Sequence, residues 1–160
     1  MKIEDEIKQQ KKFADIYEQA VVNIFFTSGW LYNMNANRLK DYGVTPEQFN
    51  VLRILRGAYP KPMMLSDIAD RMLDKSSNAT RLVEKLRQKD LVKREICPGN
   101  RRQVDIMITE AGLGILTAID NGCQEWMTSV KSLTTAEASE LNRILDKLRE
   151  EPAAKVKSTF

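Results

Sequence analysis

A winged helix-turn-helix, mainly α with a small β-hairpin wing and flanked by N- and C-terminal dimerisation helices, is the fold class the sequence predicts. Three observations predict it. Two short segments with an apolar face, near residues 65–72 and 77–89, are joined by a polar turn of a few residues, the pattern of a helix-turn-helix. Two strand-like runs follow directly, separated by the turn residues Pro98-Gly99-Asn100, and read as a hairpin. Long helical periodicities stand on either side, at about 13–40 and 110–150, around a lobe of about 45–109. At 160 residues the chain is too short for two independent cores, so a single domain over 1–160 is expected.

The first helix is predicted from Phe13, Ile16, Tyr17, Ala20, Val21, Ile24, Leu31 and Met34, which recur at helical spacing, with a kink or break at Gly29. Asp41-Tyr42-Gly43 closes it. Thr45-Pro46-Glu47-Gln48 opens the second helix with a Thr cap, Pro at the first helical position and Gln three residues after the Thr. Gly57 and the Tyr59-Pro60-Lys61-Pro62 run end it, since Pro cannot continue the helical ladder. Leu65, Ile68, Ala69 and Met72 outline a third helix, with Ser66 as its expected cap, and Leu82, Val83, Leu86 and Leu91 outline a fourth whose start Asp74 and the serines can cap. Strands are expected over Leu91–Ile96 and Gln103–Thr109, the second alternating Val104, Ile106 and Ile108 with polar or mixed positions. Thr109 and Glu110 begin a fifth helix through Leu113, Leu116, Ile119, Trp126 and Val130. The last opens at Thr134 or Thr135, with Glu137 in its first turn, and runs until Pro152.

Charge is unevenly placed. The stretch 75–102 holds nine basic and three acidic residues, a net +6 in a chain whose total is +3, so the remainder is net −3. Such a segment suits either a surface that meets a polyanion or a solvated helix face.

The absences exclude whole classes of chemistry. The chain has no His, which removes Ser-His-Asp and Cys-His nucleophiles and the common zinc and haem ligand sets, and no other acid, base and nucleophile constellation stands out. An enzyme is therefore not expected, and neither a cofactor nor a metal. Cys97 and Cys123 lack C-x-x-C spacing and fit a reducing compartment; Lys93 and Arg94 could activate the Cys97 thiol if near it, and an inert buried thiol is its expected state. Acids stand near Met1 where a leader would be apolar, and no window has the length and apolarity of a membrane span, so a cytoplasmic protein without membrane contact is expected.

In a helix-turn-helix the fourth helix is the one that fits the major groove, and its first turns carry Ser76, Ser77, Asn78, Thr80 and Arg81, flanked by Lys75 and Lys85. Hydroxyls and amides can meet phosphates or base edges, Asn and Arg can bond adenine and guanine twice, and the lysines suit phosphates. Helix capping is an equally good reason for Ser76, Ser77 and Asn78, and Arg81 could instead pair with Glu84. Arg101 and Arg102, at the hairpin turn, suit the negative potential of a minor groove.

The element order, together with Leu65-Ser66-Asp67-Ile68-Ala69, Thr80-Arg81-Leu82-Val83-Glu84-Lys85-Leu86, Asp90-Leu91-Val92 and the wing Asn100-Arg101-Arg102 through Thr109-Glu110-Ala111-Gly112, resembles the MarR family of bacterial transcription regulators over about residues 13–150. The wing is similar to that family's Asp-x-Arg wing ending in Leu-Thr-x-x-Gly, with Asn100 where an Asp usually stands. The resemblance implies that Arg102 is the wing-tip arginine of the minor groove. It implies too a homodimer interlocked by the terminal helices, a palindromic double-stranded DNA operator, and repression relieved by a small-molecule effector. The many apolar residues of the terminal helices independently call for a partner surface. Phe25, Phe26, Trp30, Tyr32 and Trp126 are candidate lining for the effector cavity, expected where the first and fifth helices meet the winged helix. The peroxide-sensing branch places a reactive Cys near the start of the first helix, and this chain has none there. The competing function class is a winged-helix protein-interaction scaffold without specific DNA binding.

Overall fold

The computed structural model describes residues 2–96, 104–122, 128 and 131–150, which fall into two units, Met1–Gly122 and Cys123–Phe160. The first unit contains a helix the sequence reading did not anticipate, α1 (Ile3–Glu6), whose Ile3 is buried. The long α2 (Ile16–Lys40) starts three residues later than Phe13 because Asp15 supplies its cap, accepting from the Tyr17 and Glu18 N–H groups at 2.7 and 2.8 Å. It is one uninterrupted helix through Gly29, so the expected break is absent.

The next helix, α3 (Pro46–Ala58), begins as its sequence requires. Gln48 N–H donates to the Thr45 hydroxyl oxygen, and the Thr45 N–H donates back to Gln48 Oε1. A two-residue strand, β1 (Met63–Met64), leads into α4 (Leu65–Arg71). The Ser66 cap is corrected here: Met64 holds the cap position without a side-chain bond, and the Ser66 hydroxyl points to Asp67 at 3.5 Å. The fourth predicted helix is α5 (Ala79–Arg87), shorter at both ends than 77–89 because Asn78 caps it and Asp90 reverses the chain with φ +57°.

Strands β2 (Val92–Ile96) and β3 (Val104–Ile108) pair antiparallel, with Val92 opposite Ile108 and Ile96 opposite Val104. β1 adds to the other edge of β3, Met63 opposite Ile106, so the sheet has three strands in the order β1-β3-β2 and not two. The turn between β2 and β3, with Cys97, Arg101 and Arg102, lies outside the described residues. So do Cys123, Trp126 and Val130 of the expected fifth helix, whose described part is α6 (Glu110–Asn121).

One core joins these elements. Leu39 from α2, Val51, Leu52 and Leu55 from α3, Ile68 from α4, Val83 and Leu86 from α5, Ile106 and Ile108 from β3, and Leu116 and Ile119 from α6 pack together out of solvent. Outside it, Asp120 of α6 pairs with Arg56 of α3 at 2.6 Å, and the Tyr42 hydroxyl donates to the Ala118 carbonyl at 3.3 Å. In the second unit, α7 (Thr135–Arg149) opens with the capping box expected of Thr134 and Glu137.

Gly112 marks the tightest junction. A Cβ there would collide with the Leu91 carbonyl oxygen and stand 2.7 Å from Ile108 Cγ1, whereas one on Gly114 meets nothing within 4 Å. Gly112→Ala is expected to destabilise by about 1–3 kcal/mol through overpacking, and Gly114→Ala to stabilise by roughly 0.5–1 kcal/mol through chain entropy. Urea unfolding midpoints of the two variants should move in opposite directions.

Candidate nucleic-acid interface

The nine residues of α5 divide into two faces. Ala79, Val83 and Leu86 are buried, at positions i, i+4 and i+7, and this places Thr80, Arg81 and Lys85 on the exposed side. Arg81 does not take the pairing that its neighbours offered. Glu84 receives Arg87 instead, through two bonds of 2.7 and 3.1 Å, and the Arg87 guanidinium holds the Glu84 carboxyl below its usual range. Among the described residues, Arg81 and Lys85 form no ion pair.

The turn before α5 sorts the polar candidates. Asn78 is the cap: its Oδ1 accepts from the Arg81 N–H at 2.9 Å. Ser76 and Ser77 do not cap α5, because their hydroxyls donate to Asp74, at 2.7 Å to Oδ1 and 2.8 Å to Oδ2, while the Ser76 N–H adds a third bond at 2.9 Å. These bonds, the Ser76 hydroxyl first and then that of Ser77, hold the exposed Asp74 carboxyl below its ordinary value. Lys75 folds its ammonium onto the Asp70 carbonyl. Both serine protons are thus committed within the turn, and a phosphate contact requires their release.

An open cleft of about 250 Å³ lies between the start of α3 and α5, lined by Thr45, Glu47, Gln48, Ser77, Asn78, Arg81, Leu82 and Lys85. Its one carboxylate is Glu47, which accepts from the Tyr32 hydroxyl of α2 at 2.9 Å. Burial pushes the Glu47 carboxyl up, but hydrogen bonds from Thr45, its own N–H and Tyr32 outweigh burial and leave it below the ordinary value. The same bond raises the Tyr32 hydroxyl. Sequence reasoning missed Glu47 because its meeting with α5 is tertiary; the helical start signal around it concerned α3 alone. Of the aromatic candidates, Phe26 and Trp30 line a different open cleft of about 300 Å³ with Ile3, Glu6, Asn23 and Thr27, against α1 and not the winged helix. Phe25 is largely exposed. Arg101, Arg102 and Trp126 lie outside the described residues.

Comparison with known proteins matches residues 44–104 to the MarR family. Over 78 residues the chain is 38% identical to the HTH-type transcriptional regulator MhqR of Bacillus subtilis, a match covering 49% of this chain and about half, 52%, of that protein. It is 28% identical over 142 residues to the HTH-type transcriptional regulator MgrA of Staphylococcus aureus, covering 89% of each. Among solved structures, the Staphylococcus aureus MepR-DNA complex shares the fold with a TM-score of 0.74 at 20% identity, over 88% of this chain and 100% of that one.

The Asp74 turn has a definite pH dependence. A carboxyl with a lowered folded-state pKa adds stability that is fully present above its unfolded value, near 3.8, and lost as pH falls through the folded one. The side-chain carboxyl carbon of Asp74, followed by NMR, should titrate below 3.8 in the native protein. In a Ser76→Ala/Ser77→Ala variant the midpoint should move up towards that value; an unmoved midpoint would show that the serines are not its cause.

Proposed function

We propose that this chain, whose residues 44–104 form a MarR-family domain, is a homodimeric, sequence-specific transcription regulator rather than an enzyme, a repressor that a palindromic operator binds and a small-molecule effector releases. The observation that carries this reading is the exposed cationic face of α5, where Arg81 and Lys85 stand outside any ion pair among the described residues while the opposite face is committed to the core. A cation held in the open without a partner suits an anion that arrives from outside, and a helix of this width enters the major groove. The DNA complex of MepR, a protein of the same fold, supports the assignment of that anion to DNA.

In this reading Arg81 makes a bidentate contact to a guanine edge, and Asn78 and Thr80 lie beside it for base or phosphate contact. Lys75 and Lys85 neutralise phosphates, and Ser76 and Ser77 join them once their hydroxyls leave Asp74. Arg101 and Arg102 of the wing enter the minor groove, a role that rests on the sequence. The homodimer is supported by the apolar surface of α2, where Tyr17 is 79% and Phe25 72% exposed, and by Leu141, Ile144 and Leu148 on α7. These lie in the 13–40 and 110–150 stretches that the reading assigns to a dimer interface, around a DNA-binding lobe at 45–109. Two-fold symmetry then sets two α5 helices about one DNA turn apart. Among the described residues no helix is long and apolar enough to cross a membrane, and work on DNA assigns the chain to the cytoplasm.

Two outcomes test this. For duplexes recovered by the protein from a random-sequence pool, affinity should fall steeply with salt; Lys85→Ala should lower the log–log slope by about one, and Arg81→Ala should cost about 1–3 kcal/mol and relax selection at one base pair. No enrichment of any duplex, with Arg101→Ala/Arg102→Ala indistinguishable from the native chain on bulk DNA, would instead mark a protein-interaction scaffold. In sedimentation equilibrium the native chain should be a dimer, and Phe25→Glu, which places a carboxylate in the apolar face, should shift it to monomer.

A further inference from the structure

One side chain ties the far end of α5 to the corner between α2 and α3. Lys89, in the turn that follows α5, donates from Nζ to the Gly43 carbonyl at 2.5 Å and to Gln48 Oε1 at 3.3 Å. Gly43 lies just past the C-terminal end of α2 and is tied to it, since its N–H donates to the Lys40 carbonyl at 3.0 Å. Gln48 is 2% exposed, and its Oε1 also accepts from the Thr45 N–H at 3.1 Å, so the acceptor that Lys89 reaches is itself held rigidly at the start of α3. The backbone of Lys89 is equally constrained: its N–H donates to the Leu86 carbonyl at 3.1 Å, and the Leu91 N–H donates to the same carbonyl at 3.0 Å. The turn after α5, the corner between α2 and α3 and the first turn of α3 therefore meet at one ammonium.

The obvious role for a lysine in this basic stretch is one more phosphate contact, and the geometry argues otherwise. The ammonium is spent on two acceptors of the protein itself, at the end of α5 remote from its Asn78 cap and first turns. Resting on the DNA-binding reading above, we propose that Lys89 is a positioning residue: bound to Gly43 and Gln48, it sets the angle of α5 against α2 and couples the dimer-forming helix to the helix that reads the groove, without touching DNA. A change in the spacing of the two α2 helices would reach both α5 helices through this strut.

The test uses the full-length protein, a duplex recovered by it from a random-sequence pool, and a shuffled duplex of equal length. Lys89 is exposed and Lys89→Met keeps the aliphatic stem, so the variant is expected to fold, which its thermal unfolding midpoint checks. Lys89→Met should lower the ratio of specific to non-specific affinity about tenfold, within the range of coupling between sites, and leave the salt slope unchanged. Lys89→Arg, which retains a cationic donor, should recover most of the ratio. A salt slope that drops by about 0.9 in Lys89→Met would make Lys89 a phosphate contact and overturn the proposal. An unchanged ratio would overturn it as well, by showing that α5 keeps its pose without the strut. If the native chain prefers no recovered duplex, the DNA-binding reading fails and this inference with it; if the native chain discriminates and Lys89→Met discriminates equally, this inference alone fails.

Discussion

The burial of one narrow stripe of α5 is the constraint on which the rest of the candidate interface depends. A nine-residue helix is too short to persist in water alone, so α5 exists because Ala79, Val83 and Leu86 pack against α3, α4 and β2. Burying a Val or Leu side chain is worth about 1.5–3 kcal/mol, far more than any exposed ion pair on the opposite face. The hydrophobic stripe therefore sets the rotation of the helix about its axis. Thr80, Arg81 and Lys85 face solvent as a consequence of where the apolar residues go, and no polar contact is needed to aim them.

Polar groups do a different task, which is to fix where α5 begins and ends. At the start, Asn78 takes the Arg81 N–H while Asp74 gathers three donors from Ser76 and Ser77 into a closed turn. At the end, the left-handed Asp90 reverses the chain, and its carbonyl accepts from the Thr109 hydroxyl at 2.7 Å, which joins the exit of α5 to the entry of α6. Thr109 serves both sides, since its oxygen also caps α6 by accepting from the Gly112 N–H. Gly112 allows the close approach this requires, because α6 passes against the Leu91 carbonyl and Ile108 with no room for a Cβ. The Thr109-Glu110-Ala111-Gly112 segment at the end of the wing is thus a packing motif.

The acids near the cationic face have separable roles. Glu84 is engaged by Arg87 one turn along the helix, and Arg81 stands outside any ion pair among the described residues. Glu47 sits in the cleft beside Arg81 and Lys85, but its Oε1 is held by Tyr32, so α2 has a second point of influence on the surface next to α5. Lys89 at one end, through the corner at Gly43, and Tyr32 beside the other both join α2 or its exit to elements bordering α5.

Contacts closed within three or four residues were readable from the amino-acid order, because spacing alone places the partners. Thr45 with Gln48, Thr134 with Glu137, the apolar alternation of β3 and the buried stripe of α5 are all of this kind. Choices among equivalent neighbours were less readable: Ser76 and Ser77 could cap α5 or bond Asp74, and Glu84 could pair with Arg81 or Arg87, with the rotamers of the folded chain deciding. Tertiary structure alone decided the rest. β1 is a strand because Met63 meets Ile106, and Lys89 matters because the fold brings it to Gly43 across 46 positions of sequence. Neither pairing leaves a trace in local periodicity, since the free energy that forms it comes from the shared core of α3, α5 and β3 and not from the segments that touch.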